Sequence, residues 1–347
     1  VQGPALLERL IPSNVANRAE WATEIYSAFT ALRIAPTAEN MCAVIAVTEQ
    51  ESGFRADPSV PGLSDIAWKE MEKQRERIGV PKVVVQTALK MQSSDGKSYS
   101  ERLDTVKTER QLSELYDDFI GKVPMGKTFF SNRNPVRTGG PMQVSVAFAE
   151  KHAASRTYPY PASGSIRHEV FTRRGGIYFG VAHLLDYPTS YNTHIYRFAD
   201  FNAGQFASRN AAFQNAVTLA SGTPLDLDGD VLRYEQGQPV AQPSNTELAA
   251  RALGARLDMS PSEIRRDLEH GTGQEFERTR LYVRVFALVD KLSIKPVPRA
   301  LVPSIVLHSP KFTRTLTTAW YASRVDDRNR RCLARAADAG AANRDDH

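Results

Sequence analysis

M-C-A-V-I-A-V-T-E-Q-E-S-G-F, residues 41–54, runs apolar for seven positions and turns acidic within the next helical turn. Thr37 can cap this helix, and Met41, Val44, Ile45 and Val47 give it a face to bury. Ser52 and Gly53 end it, with Gly53 as the C-terminal cap. Glu51 therefore falls in the last turn. Glu49 stands two residues earlier, about 200° around the helix, so the two carboxylates face nearly opposite sides and cannot share a task. Glu49 reads as a surface or helix-pairing charge. Glu51 is the acid whose role decides the fold.

The chain has 347 residues, 41% of them hydrophobic and 24% charged, enough for one large soluble domain or two ordinary ones. No stretch reaches the roughly 18 to 20 uncharged apolar residues that a membrane-spanning helix requires. It begins at Val1 without a basic-then-apolar leader, which predicts a processed chain whose targeting segment has been removed. The net charge of +5 suits an anionic partner such as nucleic acid, a membrane surface or an acidic wall polymer. The excess is small and spread out, and solubility accounts for it. Cys42 and Cys332 belong to no metal-ligand cluster. They either pair in an oxidising compartment, or Cys42 is a small buried apolar residue.

Outward from the opening stretch, helical periodicity dominates. Residues 17–33 form an amphipathic helix with Trp21, Ile25, Phe29 and Leu32 on one face, started by a capping box of Asn17 and Glu20. Residues 59–138 read as a mainly helical excursion. Helices are expected again at Met142 to His152, Arg174 to Asp186 and Phe201 to Leu219. T-P-L-D-L-D-G-D-V-L-R-Y reads as a turn with a short hairpin, before a Pro/Gln-rich break at 236–243. Beyond it, Ser260-Pro261-Ser262-Glu263 is a strong helix start stopped by Gly271. Ser309-Pro310 opens a last helix through Trp320 and Tyr321, and the final dozen residues read as a loose tail.

Two motifs mislead. Residues 121–128, G-K-V-P-M-G-K-T, satisfy the phosphate-binding loop pattern, and V-F-A-L-V-D, ending at Asp290, resembles its acidic partner. That loop needs a buried strand before it and a helix after it. Here an acidic, helix-periodic segment precedes and F-F-S-N-R-N-P follows, so nucleotide binding is not expected. Asp226, Asp228 and Asp230 resemble the start of a calcium loop, but Val231 stands at the sixth position where glycine is needed and Gly237 at the twelfth where glutamate is needed. They read as a turn. No metal site and no cofactor are expected, and no activated Ser or Cys nucleophile is evident.

The opening stretch has ordered companions: G-G-P-M-Q at 139–143, R-G-G-I-Y-F-G-V-A-H-L-L at 174–185 and F-N-A-G at 201–204. Together with E-S-G-F, this set resembles the lytic transglycosylases, lysozyme-like enzymes that cleave bacterial peptidoglycan, across residues 37–220. It is most similar to a group of transglycosylase-like lipoproteins of the Gram-negative outer membrane. The resemblance implies a mainly α fold: a lysozyme-like helical core within residues 1–235, a large helical insertion at 59–138, and a helical extension over 236–347. It also implies that the chain resides in the cell envelope, periplasm or outer membrane, anchored through a lipid-modified segment removed from this sequence. Its partner would be peptidoglycan rather than nucleic acid.

The resemblance makes Glu51 the catalytic acid and places Ser52, Met142, Gln143, Tyr196, Phe201 and Asn202 along the glycan groove. Gln143 and Asn202 carry amides suited to acetamido and hydroxyl groups. Packing against the apolar helix and Met142 would raise the Glu51 pKa and keep it protonated. Three positions depart from the family pattern. Gly176 replaces Asn and His183 replaces Tyr at sites that read as structural, His183 as a packed core residue. Phe201 replaces a Tyr whose phenol approaches the catalytic acid, a place Tyr191 or Tyr196 would have to fill. Without such a group the expected activity gives way to peptidoglycan binding alone. An inverting muramidase would instead need a second carboxylate, from Asp57, Asp65 or Asp200.

Overall fold

The computed structural model describes residues 3–122, 134–309, 312 and 314–345. Helices make up 62% of the chain and strands 5%, so the protein is mainly α. The named strands among the described residues are three two-residue antiparallel pairs: Thr138–Gly139 with Val144–Ser145, Tyr234–Glu235 with Gln238–Pro239, and Val306–Leu307 with Leu316–Thr317. The chain divides into two compact units, Val1–Pro36 with Val47–Val181, and Thr37–Ala46 with Ala182–His347.

In the first unit, the helix Arg18–Leu32 buries Trp21, Ile25, Phe29 and Leu32 as its periodicity predicts. Its start differs from the expected capping box. Asn17 adopts left-handed geometry (φ 57°) and makes no side-chain cap bond; its carbonyl accepts the Glu20 and Trp21 amides instead. Asparagine tolerates that conformation better than most residues. The excursion is helical as expected, with helices Leu63–Ile78, Lys82–Leu89, Tyr99–Thr105 and Glu109–Lys122. It closes on itself, because Ser59 bridges Thr108 and the Val60 amide donates to the Lys107 carbonyl at 2.8 Å. The last of these helices leads into the G-K-V-P-M-G-K-T stretch, which from residue 123 onward lies outside the described residues.

In the second unit, the helix Ala207–Ser221 is buried nearly all round and carries Phe213 and Val217 into a core with Leu232, Leu257, Phe276 and Phe286. The single helix expected over Phe201 to Leu219 is two. His194–Ala203 ends at Gly204 (φ 116°), and Ala207–Ser221 restarts after Phe206 (φ 68°). Ser260 and Glu263 form the expected capping box, but the helix stops at Leu268 and passes through a 3₁₀ turn, Glu269–Thr272, rather than ending on Gly271. V-F-A-L-V-D belongs to the helix Arg280–Leu292, not to a strand.

The last helix begins at Thr318 rather than at Ser309-Pro310, where Pro310 lies outside the described residues. The Thr317 hydroxyl accepts the Trp320 amide at 3.0 Å and so takes the capping role. Contrary to the loose tail expected, this helix continues to Asp345, its end rich in alanine, the strongest helix former. It packs on His194–Ala203 and is bonded covalently through Cys332 to Cys42, both residues fully buried.

That disulfide closes a loop of 290 residues, long enough for a large restriction of the unfolded chain. Replacing both cysteines with alanine is expected to lower stability by about 2–5 kcal/mol. Urea titration of oxidised wild type against the double variant measures it, and coincident midpoints would refute it.

Candidate functional site

The G-G-P-M-Q turn is positioned by absent side chains. Thr138↔Ser145 and Gly139↔Val144 pair across it, so it is the tip of a short hairpin rather than the start of a helix; the helix expected from Met142 begins at Val146, capped by Ser145. The turn lies on the glycine face of the helix Arg173–Leu185. A methyl group at Gly176 would sit 2.4 Å from Pro141 Cδ, and one at Gly180 would sit 2.3 Å from Met142 Sδ. At Gly175 it would lie 2.0 Å from the Glu169 carbonyl oxygen, and at Gly140 (φ 77°) 2.2 Å from that of Val170. Met142, expected on the groove wall, is fully buried in the Gly180 notch and serves packing. Gln143 is half-buried with left-handed geometry (φ 53°), held because both its backbone amide and its Nε2 donate to the Gly140 carbonyl, at 3.1 and 3.0 Å.

Glu51 is half-buried in the last turn of the helix Ala38–Ser52, three residues after a buried run from Met41 to Thr48. Two successive left-handed residues, Gly53 (φ 59°) and Phe54 (φ 60°), then reverse the chain. The Gly53 amide donates to the Glu49 carbonyl at 3.0 Å, as expected of a terminal cap. Phe54 swings back into the core with its ring edge on Trp21, centroids 5.4 Å apart. Ser52 is largely spent on this closure: its hydroxyl donates to the Thr48 carbonyl and accepts the Arg55 amide, both at 3.2 Å.

Tyr196, Phe201 and Asn202 share the helix His194–Ala203 in the second unit, whereas Glu51, Ser52, Met142 and Gln143 belong to the first. Phe201 is buried, its ring 4.9 Å from that of His183. Asn202 Oδ1 accepts the Thr318 hydroxyl at 2.7 Å, so the C-terminal helix fixes the orientation of this amide. Tyr196 is half-buried, with its ring edge against Tyr191, centroids 5.5 Å apart.

Asp200 is fully buried. It accepts hydrogen bonds from the Tyr187 and Tyr191 hydroxyls and, at 2.7 Å, from the Ser208 amide. Burial raises its pKa against these three donors. This arrangement corrects two expectations. Tyr191 is committed to Asp200, so it is not free to replace the family's phenol, and Asp200 is enclosed, so it cannot activate water. Asp65 is exposed, and Asp57 accepts from the Thr108 hydroxyl at 3.1 Å. D-L-D-G-D bends at Asp228 and Gly229, where Asp228 Oδ1 accepts the Asp230 amide at 3.0 Å and Gln214 Nε2 at 2.8 Å.

Residues 14–335 match the model of a family described as protein of unknown function (DUF1615). The chain belongs to this family. It is also 55% identical over 329 residues to the Escherichia coli (strain K12) protein named uncharacterized protein YaiW, covering 95% of this chain and 89% of that one. No solved structure matches it.

Two charges of this DUF1615 chain are fully buried, a placement that the sequence reading did not foresee. Glu169, fully buried beneath the glycine face, accepts from Tyr158 at 2.8 Å, Ser163 at 3.0 Å and Arg174 at 2.9 Å. Burial pushes its pKa up, but these donors together outweigh burial and hold it below the usual carboxylate range. Arg209, also fully buried, donates to the Gly271 and Gly273 carbonyls at 2.9 and 2.8 Å and covers the Phe206 ring at 4.3 Å. The one cue for Glu169 is an isolated acid ahead of R-R-G-G. For Arg209 there is none.

Gly175→Ala is expected to cost at least about 2 kcal/mol, since the added methyl meets backbone that cannot rotate away. Thermal melts would show it, and an unchanged midpoint would disprove the notch. The pH response has a definite sign. Burial lowers the His183 pKa to about 4 although Nε2 contacts the Phe201 carbonyl, so between pH 6.5 and 4 only the unfolded chain takes up this proton. Its contribution is full above pH 6.5 and is lost as pH falls, at no more than about 1.4 kcal/mol per pH unit. Glu169 likewise loses its contribution as pH drops below the carboxylate range. Stability of the wild type should therefore fall more, from pH 6.5 to 4, than that of His183→Gln measured over the same range.

Proposed function

We propose that this protein is a peptidoglycan lytic transglycosylase with a lysozyme-like helical core, acting on glycan strands in the envelope of a Gram-negative bacterium. The observation that carries the reading is Glu51, a half-buried carboxyl in the last turn of a helix whose residues 41–48 are buried. Its ordered companions support it: the Gln143 hairpin held on the glycine face and the Asn202 amide oriented by Thr318. The buried Cys42–Cys332 bond supports an oxidising setting such as the envelope.

A single acid suffices for this chemistry. Protonated Glu51 gives its proton to the oxygen joining N-acetylmuramic acid to N-acetylglucosamine, and the bond from C1 to that oxygen breaks. The acetamido group of the same muramic acid stabilises the cation left at C1. The Glu51 carboxylate then takes the proton of the 6-hydroxyl as O6 bonds to C1, closing the 1,6-anhydro ring and returning Glu51 to its starting state. No water enters the products and no second carboxylate is required, in contrast to ordinary glycoside hydrolysis. Gln143, whose Nε2 is spent on the Gly140 carbonyl, keeps its Oε1 as the group offered to the sugar.

A second reading, a peptidoglycan-binding protein without turnover, is favoured by one observation. Phe201 lacks a hydroxyl, and Tyr187 and Tyr191 both spend theirs on Asp200. Digestion of purified peptidoglycan separates the two. Anhydromuropeptides from the wild type, reduced at least about a thousandfold in Glu51→Gln through loss of the acid and base, are the expected result. Retention on insoluble wall with no product would establish the binding protein instead, and reducing-end muramic acid would establish a hydrolase.

A further inference from the structure

The end of the helix Arg280–Leu292 and the loop after it push apolar side chains into solvent. Leu292 is 63% exposed and Ile294 is 104% exposed, so Ile294 has no shelter from its surroundings. Most large apolar side chains of this unit are buried, and two exceptions two residues apart, one ending the helix and one on the loop after it, require an explanation. Lys291 and Lys295 flank them, both exposed, with no ion pair or hydrogen bond among the described residues.

The exposure is not that of a slack loop. Arg299 clamps Asp290 at the base, with Nη2 2.7 Å from Oδ2 and Nη1 3.1 Å from Oδ1. The Val297 amide donates to Asp290 Oδ1 at 3.0 Å, Arg299 Nη1 donates to the Val297 carbonyl at 2.9 Å, and the guanidinium lies 4.1 Å over the Phe286 ring. These bonds pin the two ends of the excursion K-L-S-I-K-P together, so less of the chain is left to order when the tip meets a partner. They also pair the only acid within residues 280–299. Residues 280–299 hold five basic side chains and a single carboxylate, Asp290, already paired.

We propose that this clamped tip docks on the surface of an anionic lipid bilayer, Leu292 and Ile294 entering the headgroup boundary while Lys291 and Lys295 meet lipid phosphates. Apolar side chains supply burial and flanking lysines supply attraction, the two terms that govern interfacial binding. Charge decides among occupants: an anionic bilayer complements both features of the tip, whereas a second copy would bring its own lysines against these. This docking stands apart from the glycan chemistry and needs no lipid anchor on the chain.

The test is flotation of the full chain with vesicles of seven parts phosphatidylethanolamine to three of phosphatidylglycerol, and with pure phosphatidylcholine vesicles. The anionic vesicles should bind at least tenfold better, with binding reduced by 0.5 M salt. Leu292→Ser with Ile294→Ser, and separately Lys291→Glu with Lys295→Glu, should each weaken binding at least tenfold while melting as the wild type does. Since the two natural cysteines are paired, Ile294→Cys gives a single thiol for an environment-sensitive dye, whose emission should shift to the blue on the anionic vesicles. No flotation, equal flotation of the variants, or an unshifted dye overturns the proposal. Light scattering that shows a wild-type dimer and a monomeric Leu292→Ser, Ile294→Ser variant would replace it with self-association.

Discussion

No side chain fits at Gly175, Gly176 or Gly180, and the first unit is built on that constraint. A helix with three glycines within six residues would be weakened alone, each glycine costing about 1 kcal/mol against alanine. Here the missing methyls let the Glu169 carbonyl, Pro141 and Met142 approach the helix backbone more closely than any residue with a Cβ permits. That approach seats the hairpin tip, and the hairpin tip sets the strained geometry from which Gln143 projects. Glu169 beneath the same face shows how closely the region is satisfied. A carboxylate with no exposed surface persists there because phenol, hydroxyl and guanidinium all donate to it.

Much of the helical pattern was legible because it is local. The apolar stripe of Arg18–Leu32, the helical excursion and the Ser260 capping box follow from periodicity and from side chains a few residues apart. Errors gathered where a distant or conformational effect wins. Gly204 and Phe206 break what looked like one helix through backbone geometry that composition does not reveal. Thr317 outcompetes Ser309 as a cap because residues 316–317 first pair with 306–307. Arg209 depends on carbonyls more than sixty residues ahead.

The candidate site was legible to a different degree at each residue. Glu51 was found because an acid shortly after a seven-residue apolar run is a local anomaly, and the structure keeps it half-buried at that helix end. Ser52 and Met142 were equally visible as letters, but their roles are set by neighbours: a helix terminus consumes the hydroxyl, and a glycine notch encloses the thioether. Phe201 and Asn202 lie between these cases. Their spacing marked them, while the Thr318 hydroxyl that orients Asn202 comes from 116 residues further along.

The covalent tie between Cys42 and Cys332 also bears on the order of biosynthesis. In a growing polypeptide Cys42 emerges 290 residues before Cys332, so the native pairing has to wait until all the residues between them have emerged. Until then an unpaired thiol destined for the interior stays reachable by oxidants and by other chains. Once the link has formed, a protease that nicks any loop between the two positions leaves its fragments joined, and the severed pieces separate only after reduction.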